Sequence, residues 1–347
     1  MRSQFIPILF SVLIACRGAG NNPQPTEQPK TFSIGDGKIV NSVQFSPDGK
    51  FLICGGENKH TKIIEFATGN VIWVSDIMPD AVLVNGFSPD GNRFFITTSD
   101  NTQSTGSIGM YSFADRHRQW FIDKQTNDIQ LARYSPDGRE LIVGNFFNIL
   151  FLDVETGKQT KFFSGHPIEV PSPYGHYDAV TDIIFTSDPN VFVSVSWDKK
   201  ILIWDMKAGH DVRTYAEGDP INAMLLFPEG NRILTGSVDA ITVWNRTNDA
   251  HEQTVVYDGE IKKMCWLEGG NYFVTGDGDG DLTLWKTNGL ERLKDISKAQ
   301  ERGIWSMSAS PDGKAVVTGG GTGIVTWWPL EYLIQYNAGN ADSIKIK

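Results

Sequence analysis

Two short patterns in this sequence combine residue types that could bind a metal ion or attack a substrate. The segment Asp277-Gly-Asp-Gly-Asp281 alternates carboxylates, which Ca²⁺ prefers, but an EF-hand loop would need Gly and Glu where Leu282 and Asn288 stand. Ser196 and Lys199 have the SxxK spacing of some acyl-transfer enzymes, yet they lie in a predicted turn between strands and not at the start of a helix. The six histidines form no HxH or HxxxH pair. We therefore predict no catalytic residue, no metal site and no cofactor.

The bulk composition bounds the classes of partner. The chain has 347 residues and a formal net charge of −10. Proteins that bind nucleic acid usually carry a basic surface, so no nucleic-acid partner is predicted. Three cysteines are too few for a disulfide-stapled fold. Cys54 falls in the first and Cys265 in the sixth of seven repeats described below. In a closed ring the seventh repeat separates them, so we expect two buried free thiols.

The N-terminal segment predicts export and a lipid anchor. A cationic start at Arg2 precedes an apolar run from Phe5 to Ala15, whose 11 residues are too few for a membrane-spanning helix, which needs about 20. The run ends in Leu13-Ile14-Ala15-Cys16, which resembles the lipobox of bacterial lipoproteins. That resemblance implies cleavage before Cys16, followed by attachment of lipid, and several acyl chains hold a protein stably at a membrane. The alternative is an ordinary secretory signal with a chance cysteine near its end.

The same resemblance implies a location. Residues 1–15 would be the signal peptide, and residues 16–30, which are rich in Pro, Gln and Asn, would be a disordered tether. We expect the protein in the bacterial envelope, with the membrane as a partner through the N-terminal lipid. Arg17 stands where lipoproteins of the inner membrane in Gram-negative cells carry an Asp, which favours the outer membrane.

A turn motif recurs seven times along the rest of the chain. Its clearest copies are an aromatic residue followed by Ser-Pro-Asp-Gly, at 45–49, 87–91 and 134–138. Pro presets one turn dihedral, Asp accepts from local amides and Gly takes positive φ, so the motif predicts a hairpin turn between strands. The second positions of the seven copies are 46, 88, 135, 186, 227, 267 and 310. Their spacing matches the roughly 40–45 residues of a four-stranded propeller blade.

These repeats predict the fold class. We expect an all-β, seven-bladed β-propeller over residues 31–329. Apolar residues at helical spacing after Pro329 predict a short helix and a tail over residues 330–347. Because a helix there leaves the last blade without its outer strand, we expect Thr31-Phe-Ser-Ile34 to supply that strand and close the ring.

The fourth unit carries the fullest set of motif residues. Gly175-His176 is followed by Ser194-Val-Ser-Trp-Asp198 and then by Ile201-Leu-Ile-Trp204-Asp205. This pattern resembles WD40 repeats, and nearly the whole chain after residue 31 shares the resemblance. It implies a hydrogen-bonded structural tetrad, for which the matching residues are His176, Ser194, Asp198 and Trp204.

Later units match the tetrad in part. The fifth and sixth lack the His, and their candidate tetrad acids are Asp239 and Asp279. The seventh keeps Thr318 and Trp327 and has no Asp.

Two insertions mark candidate binding loops. One is Asp100–Ser107, between the second and third strands of unit two, and the other is His166–Tyr177, between units three and four. The WD40 resemblance implies that both loops emerge on one face of the disc. The alternative is tolerated variation of surface loops. The candidate partner-binding residues are Asp100, Asn101, Gln103, His166, Pro167, Glu169, Pro171, Tyr174 and Tyr177.

Taken together, these features predict a lipid-anchored, extracytoplasmic WD40 propeller that acts as a protein-binding scaffold or adaptor and not as an enzyme. The alternative is a propeller enzyme or small-ligand receptor, lactonase-like or hydrolase-like, with its site at the channel mouth. A sequence cannot exclude that alternative, because the residues of a propeller channel come from all of the blades.

Overall fold

The molecule is a ring of seven four-stranded antiparallel sheets, one for each repeat. The computed structural model describes residues 27–34, 37–100, 105–127, 129–165 and 174–335. Strand β1 (Lys30–Ser33) comes first in the chain. Blade one contains β2 (Ser42–Phe45), β3 (Phe51–Gly55), β4 (Thr61–Glu65) and β5 (Val71–Val74). Blade two contains β6 (Ala81–Phe87), β7 (Arg93–Asp100), β8 (Thr105–Ser112) and β9 (Arg118–Asn127). Blade three contains β10 (Ile129–Tyr134), β11 (Glu140–Asn145), β12 (Asn148–Asp153) and β13 (Gln159–Phe163).

The second half of the chain repeats this order. Blade four contains β14 (Val180–Phe185), β15 (Val191–Ser196), β16 (Lys200–Asp205) and β17 (His210–Ala216). Blade five contains β18 (Ala223–Leu226), β19 (Arg232–Gly236), β20 (Ala240–Asn245) and β21 (Ala250–Val256). Blade six contains β22 (Ile261–Leu267), a 3-10 turn (Glu268–Gly270), β23 (Tyr272–Asp277), β24 (Leu282–Lys286) and β25 (Glu291–Ile296). Blade seven contains β26 (Ile304–Ala309), β27 (Ala315–Gly320) and β28 (Ile324–Pro329), and α1 (Leu330–Gln335) follows.

The ring is closed by its N-terminal strand, as the sequence predicts. Strand β1 pairs antiparallel with β28, with Lys30 opposite Trp327 and Ser33 opposite Ile324. The side chain of Phe32 is buried and joins the core cluster that also contains Trp327. The predicted seven-bladed propeller and its short C-terminal helix are both confirmed.

The two faces of the disc carry different turns. The Ser-Pro-Asp-Gly turns join first and second strands, and in blade one the hydroxyl of Ser46 donates to Asp48 Oδ1 at 2.6 Å. Gly49 adopts a φ of 70°, which L residues rarely take. We name the face that carries these turns the lower face. The upper face carries the turns between second and third strands and the connections from each blade to the next.

Apolar side chains between the blades form the core. Phe192 and Trp204 stack with ring centroids 5.7 Å apart, and Phe273 and Trp285 repeat this contact at 5.7 Å. Each such ring buries about 150–250 Å² and therefore contributes strongly to stability. At Gly276, a Cβ atom would lie 2.7 Å from the side chain of Ile304, so only glycine allows the sixth and seventh blades to approach this closely.

Blade two departs from the other blades in length. Strands β7 and β8 have eight residues each, and Asp100 pairs with Thr105 at their upper end. The predicted loop over Asp100–Ser107 is therefore wrong at both of its ends, because Asp100 and Thr105–Ser107 lengthen the hairpin.

The two cysteines of the propeller do not pair. Cys54 and Cys265 are both free. Cys54 is buried, as expected, and burial raises its thiol pKa to about 12. Cys265 is only partly buried as a residue, although burial also raises the pKa of its thiol.

Candidate protein-binding surface

Four buried side chains tie together the upper half of blade four. His176 Nδ1 lies 2.9 Å from Asp198 Oδ2, and His176 Nε2 lies 2.6 Å from Ser194 Oγ. Trp204 Nε1 donates to the same Oγ at 2.7 Å, so the serine hydroxyl is left to donate to the imidazole. Burial acts to raise the pKa of Asp198, but the hydrogen bonds from His176 and from the backbone amides of Lys200 and Tyr177 lower it on balance. The network is fully satisfied and sealed from water, which suits a structural role.

Blade five places a carboxylate where blade four has its histidine. Glu217 Oε1 accepts a hydrogen bond from Trp244 Nε1 at 3.0 Å and another from the hydroxyl of Thr235. Burial raises the pKa of Glu217, although both of these hydrogen bonds oppose the shift. The predicted tetrad acid of this blade, Asp239, is exposed in the turn between β19 and β20, so that prediction is wrong.

Blade six uses a tyrosine at the same position. The hydroxyl of Tyr257 donates to Asp277 Oδ2 at 2.9 Å, and Trp285 Nε1 donates to Thr275 Oγ1 at 3.1 Å. The buried acid is thus Asp277, whose pKa is raised by burial. The prediction of Asp279 is wrong, because its side chain is exposed.

Blade seven uses an amide. Gln300 Nε2 donates to Thr318 Oγ1 at 2.8 Å and to Thr326 Oγ1 at 3.0 Å. The indole that donates to Thr318 is that of Trp328, at 3.0 Å. The prediction of Trp327 was one residue out of register, and Trp327 packs in the core between blades seven and one.

A row of hydrogen-bonded side chains crosses the upper face from blade four to blade seven. Trp197 Nε1 donates to Asn222 Oδ1 at 2.9 Å, and Asn222 Nδ2 donates to Glu260 Oε1 at 3.2 Å. Glu260 also pairs with Lys262 at 2.6 Å, and Lys262 Nζ lies 5.5 Å from the ring centroid of Trp305. The indole of Trp197 is 45% exposed, and that of Trp305 is half-buried. We name these five residues the Trp197–Trp305 row.

The surroundings of this row are acidic. Carboxylates stand in the upper turns and connections of blades five and six, at Asp219, Asp239, Asp258 and Asp279. The nearby Lys199 directs its ammonium to the carbonyl of Gly218 at 2.6 Å. Cations stand beside Trp305, at Lys298 and Arg302, so the excess of carboxylates around the row lies in blades five and six.

Comparison with known proteins places the fold in a family. The family model described as "WD domain, G-beta repeat" matches residues 27–65, 157–205 and 246–286. Over 302 residues the chain is 32% identical to a guanine nucleotide-binding protein subunit beta of Nicotiana tabacum, and the match covers 82% of this chain and 78% of that protein. The chain belongs to the WD40-repeat family. It is also 26% identical to a guanine nucleotide-binding protein subunit beta of Oryza sativa subsp. japonica over 322 residues, which are 86% of this chain and 82% of that one.

Two of the predicted loop residues of this WD40 protein lie at the upper face. Asp100 ends β7 at the upper end of blade two. The hydroxyl of Tyr177 donates to the carbonyl of Asp198 at 3.2 Å, and Lys200 Nζ lies 5.0 Å from the tyrosine ring centroid. Tyr177 thus covers the tetrad of blade four beside the Trp197–Trp305 row.

The remaining predicted loop residue that the structure describes lies elsewhere. The ring of Tyr174 packs on His210, with centroids 4.4 Å apart, and Gly175 N donates to Asp211 Oδ1 at 2.7 Å. His210 opens the outermost strand of blade four at its lower end, so the expectation of an upper-face loop is wrong for Tyr174. Outside the described residues lie Cys16, Asn101, Gln103, His166, Pro167, Glu169 and Pro171.

The patterns with possible chemistry are engaged in local structure. Asp277 Oδ1 accepts from the backbone amide of Asp281 at 2.8 Å, which is a turn contact. Ser196 donates to the carbonyl of Asp178 at 3.1 Å, away from the surface ammonium of Lys199. In the part of the chain that the structure describes, no three His, Cys, Asp or Glu side chains gather as a metal site, and no helix there is long and apolar enough to span a membrane.

Proposed function

We propose that this WD40 protein is a non-enzymatic scaffold that binds a protein partner on its upper face, along the Trp197–Trp305 row. The exposed indole of Trp197, held by a hydrogen bond to Asn222, carries this proposal. Tryptophan is enriched among the residues that dominate binding energy. A side chain that is already fixed also loses little conformational entropy when a partner binds.

The charge around the row indicates the chemistry of the partner. Upper-face carboxylates in blades five and six favour a partner segment that carries Arg or Lys beside an apolar side chain. Cations also bind the faces of indole rings, as Lys262 does at Trp305. The relatives are named as beta subunits of a guanine nucleotide-binding protein, and a subunit name fits a chain that works within a protein assembly.

The proposal includes a lipid anchor at Cys16 and a location in the bacterial envelope, with the outer membrane favoured in a Gram-negative cell. Strand β1 starts at Lys30, opposite Trp327, at the lower-face end of blade seven. A tether that joins the domain at Lys30 would turn the lower face toward the lipid and leave the upper face free for the partner.

The partner proposal is tested with a double variant, Trp197→Ala with Trp305→Ala, in the full chain. Envelope extract solubilised in detergent is passed over wild type and variant, and a protein retained by the wild type should be lost from the variant. The matched control is Phe162→Ala, because Phe162, which is 49% exposed, is about as exposed as Trp197 but lies on the outer strand of blade three. Equal recovery of the same proteins on wild type and double variant would contradict the proposal.

The anchor is tested separately. Cys16→Ser should move the protein from the membrane fraction to the soluble fraction of the cell, since the lipid-bearing thiol is lost. A Cys16→Ser variant that still sediments with membranes and resists high salt would refute the anchor and leave the partner proposal standing.

A further inference from the structure

The channel of the ring contains an unusual group of charges. Its wall is formed by the first strand of each blade, and these seven strands carry only four charged residues, at Arg133, Asp182, Lys262 and Lys263. Lys262 is engaged at the upper face with Glu260. The other three come from blades three, four and six.

The single carboxylate of this group is fully occupied. Arg133 Nη2 lies 2.7 Å from Asp182 Oδ1, which also accepts from the amide of Ile183 at 2.9 Å. Asp182 Oδ2 accepts from the amide of Met224 in the next blade at 3.2 Å. The Arg133 side chain remains about half exposed. Part of the Arg133 side chain is therefore accessible to a ligand.

Lys263 occupies in blade six the position that Asp182 occupies in blade four, because each is the first paired residue after the bulge in the first strand of its blade. Blade five stands between blade six, which carries Lys263, and blade four, which carries Asp182. The two charged groups therefore influence each other through the channel. Burial lowers the pKa of Lys263, Asp182 acts to raise it, and Arg133 lowers it further. Within the described ranges, no carboxylate lies within ion-pair distance of its ammonium. The channel thus holds two cationic groups and one anionic group.

We propose that the channel binds one small oxyanion, a carboxylate or a phosphate, between Lys263 and Arg133. Such an anion would balance the charge of the group and accept charge-assisted hydrogen bonds from both cations. The chain as a whole has a net charge of −10, so attraction of an anion must come from this local pair and not from the overall field. The oxyanion could be a free small molecule or an acidic side chain of a bound protein.

The test titrates inorganic phosphate and citrate, each separately, into the full chain by calorimetry at constant ionic strength. One equivalent should bind, and Lys263→Met should weaken binding about tenfold or more, since it removes one charge-assisted contact. Lys286→Met is the matched control, because it removes an exposed lysine on the third strand of the same blade, outside the channel, and should bind as the wild type does. Lys263→Arg should retain binding.

The pH dependence provides a second readout. The empty site holds the pKa of Lys263 below its usual range, and a bound anion would raise it. Binding should therefore take up a proton, and affinity should fall as pH rises through the Lys263 pKa. Proton uptake is measured by repeating the titration in buffers of different ionisation enthalpy.

The source of the oxyanion is identified by partner capture. If phosphate or citrate binds and Lys263→Met still retains the partner of the wild type, the ligand is a free molecule. If Lys263→Met loses that partner, the partner supplies the carboxylate. The proposal is overturned if neither anion binds and partner capture does not depend on Lys263, or if Lys263→Met binds as tightly as the wild type. The double variant Trp197→Ala with Trp305→Ala should leave phosphate binding unchanged, so this result stands apart from the partner proposal.

Discussion

His176 in blade four and Glu217 in blade five occupy the same buried position, but the pKa of the buried acid is shifted in opposite directions in the two blades. In blade four the imidazole of His176 hydrogen-bonds to Asp198, whose pKa is lowered on balance. In blade five Glu217 is itself the buried acid, and its pKa is raised by burial. The fold therefore requires a side chain that can satisfy the neighbouring hydroxyl or indole, and it does not require a histidine. The comparison also predicts that the two blades respond to pH in opposite directions.

The largest effect is expected for His176→Ala. The substitution leaves the Asp198 carboxylate and the Ser194 hydroxyl buried without their partner, which costs about 3–5 kcal/mol of unfolding free energy. Urea unfolding at pH 7 measures it. The control is His117→Ala, at the exposed turn before β9, which should stay within about 0.5 kcal/mol of wild type. A small cost for His176→Ala would mean that the tetrad does not stabilise blade four.

An intermediate effect separates two neighbouring aspartates of blade six. Asp277→Ala removes the acceptor of the Tyr257 hydroxyl and should cost about 2 kcal/mol, because a buried donor loses its partner. Asp279→Ala changes an exposed side chain and should cost less than about 0.5 kcal/mol. Thermal unfolding of both variants checks the order. The reverse order would restore Asp279 as the structural acid of this blade.

In blade four, the ionised carboxylate is the stabilising form. Because the pKa of Asp198 is lower in the folded than in the unfolded state, its carboxylate stabilises the fold at pH values above the unfolded pKa. That stabilisation is lost as the pH falls through the folded pKa. Asp198→Asn should therefore cost about 1–2 kcal/mol at pH 7, and the difference from wild type should shrink below about pH 4. Urea unfolding at pH 7, 5 and 3 measures this trend. A cost that is independent of pH would contradict it.

The smallest effect is expected in blade five and has the opposite sign. The pKa of Glu217 is higher in the folded than in the unfolded state. Its contribution to stability is therefore fully present at pH values below the unfolded pKa and is lost as the pH rises through the folded pKa. Glu217→Gln keeps an acceptor for Thr235 and Trp244 without the charge, so it should be more stable than wild type by about 1 kcal/mol at pH 7. The gain should vanish near pH 4, whereas Glu291→Gln, at an exposed position, should show neither effect.

The architecture could be predicted because it rests on local chemistry that repeats. The Ser-Pro-Asp-Gly turns have their own hydrogen bonds, so each copy marks a hairpin regardless of its neighbours. The missing outer strand of blade seven then indicated where β1 had to pair. The error at Trp327 arose because Trp327 and Trp328 are adjacent in a strand, where successive side chains point to opposite faces.

The buried partners of blades five to seven could not be identified by residue type. A search for histidine passes over Glu217, Tyr257 and Gln300, which share only a position. Tyr257 and Gln300 stand four residues before the first residues of β22 and β26, as His176 does before Val180, whereas Glu217 stands six residues before β18. An alignment anchored on the strand starts would have found Tyr257 and Gln300.

The upper-face row was also beyond prediction from the sequence. Its members are spread from Trp197 to Trp305 and meet only because the ring brings four blades side by side. The described residues of the two insertions did not point to the row, because Asp100 and Thr105–Ser107 extend a hairpin and Tyr174 packs at the outer edge of blade four.

The central claim, that a partner binds the upper face, is tested most directly by photo-crosslinking from each face in living cells. A photoreactive amino acid is placed at Asp239, which is exposed on the upper face, or at Asp312, which is exposed in a lower-face turn. We predict that one protein becomes crosslinked from Asp239 and not from Asp312. Crosslinking of the same protein from Asp312 alone would contradict the account.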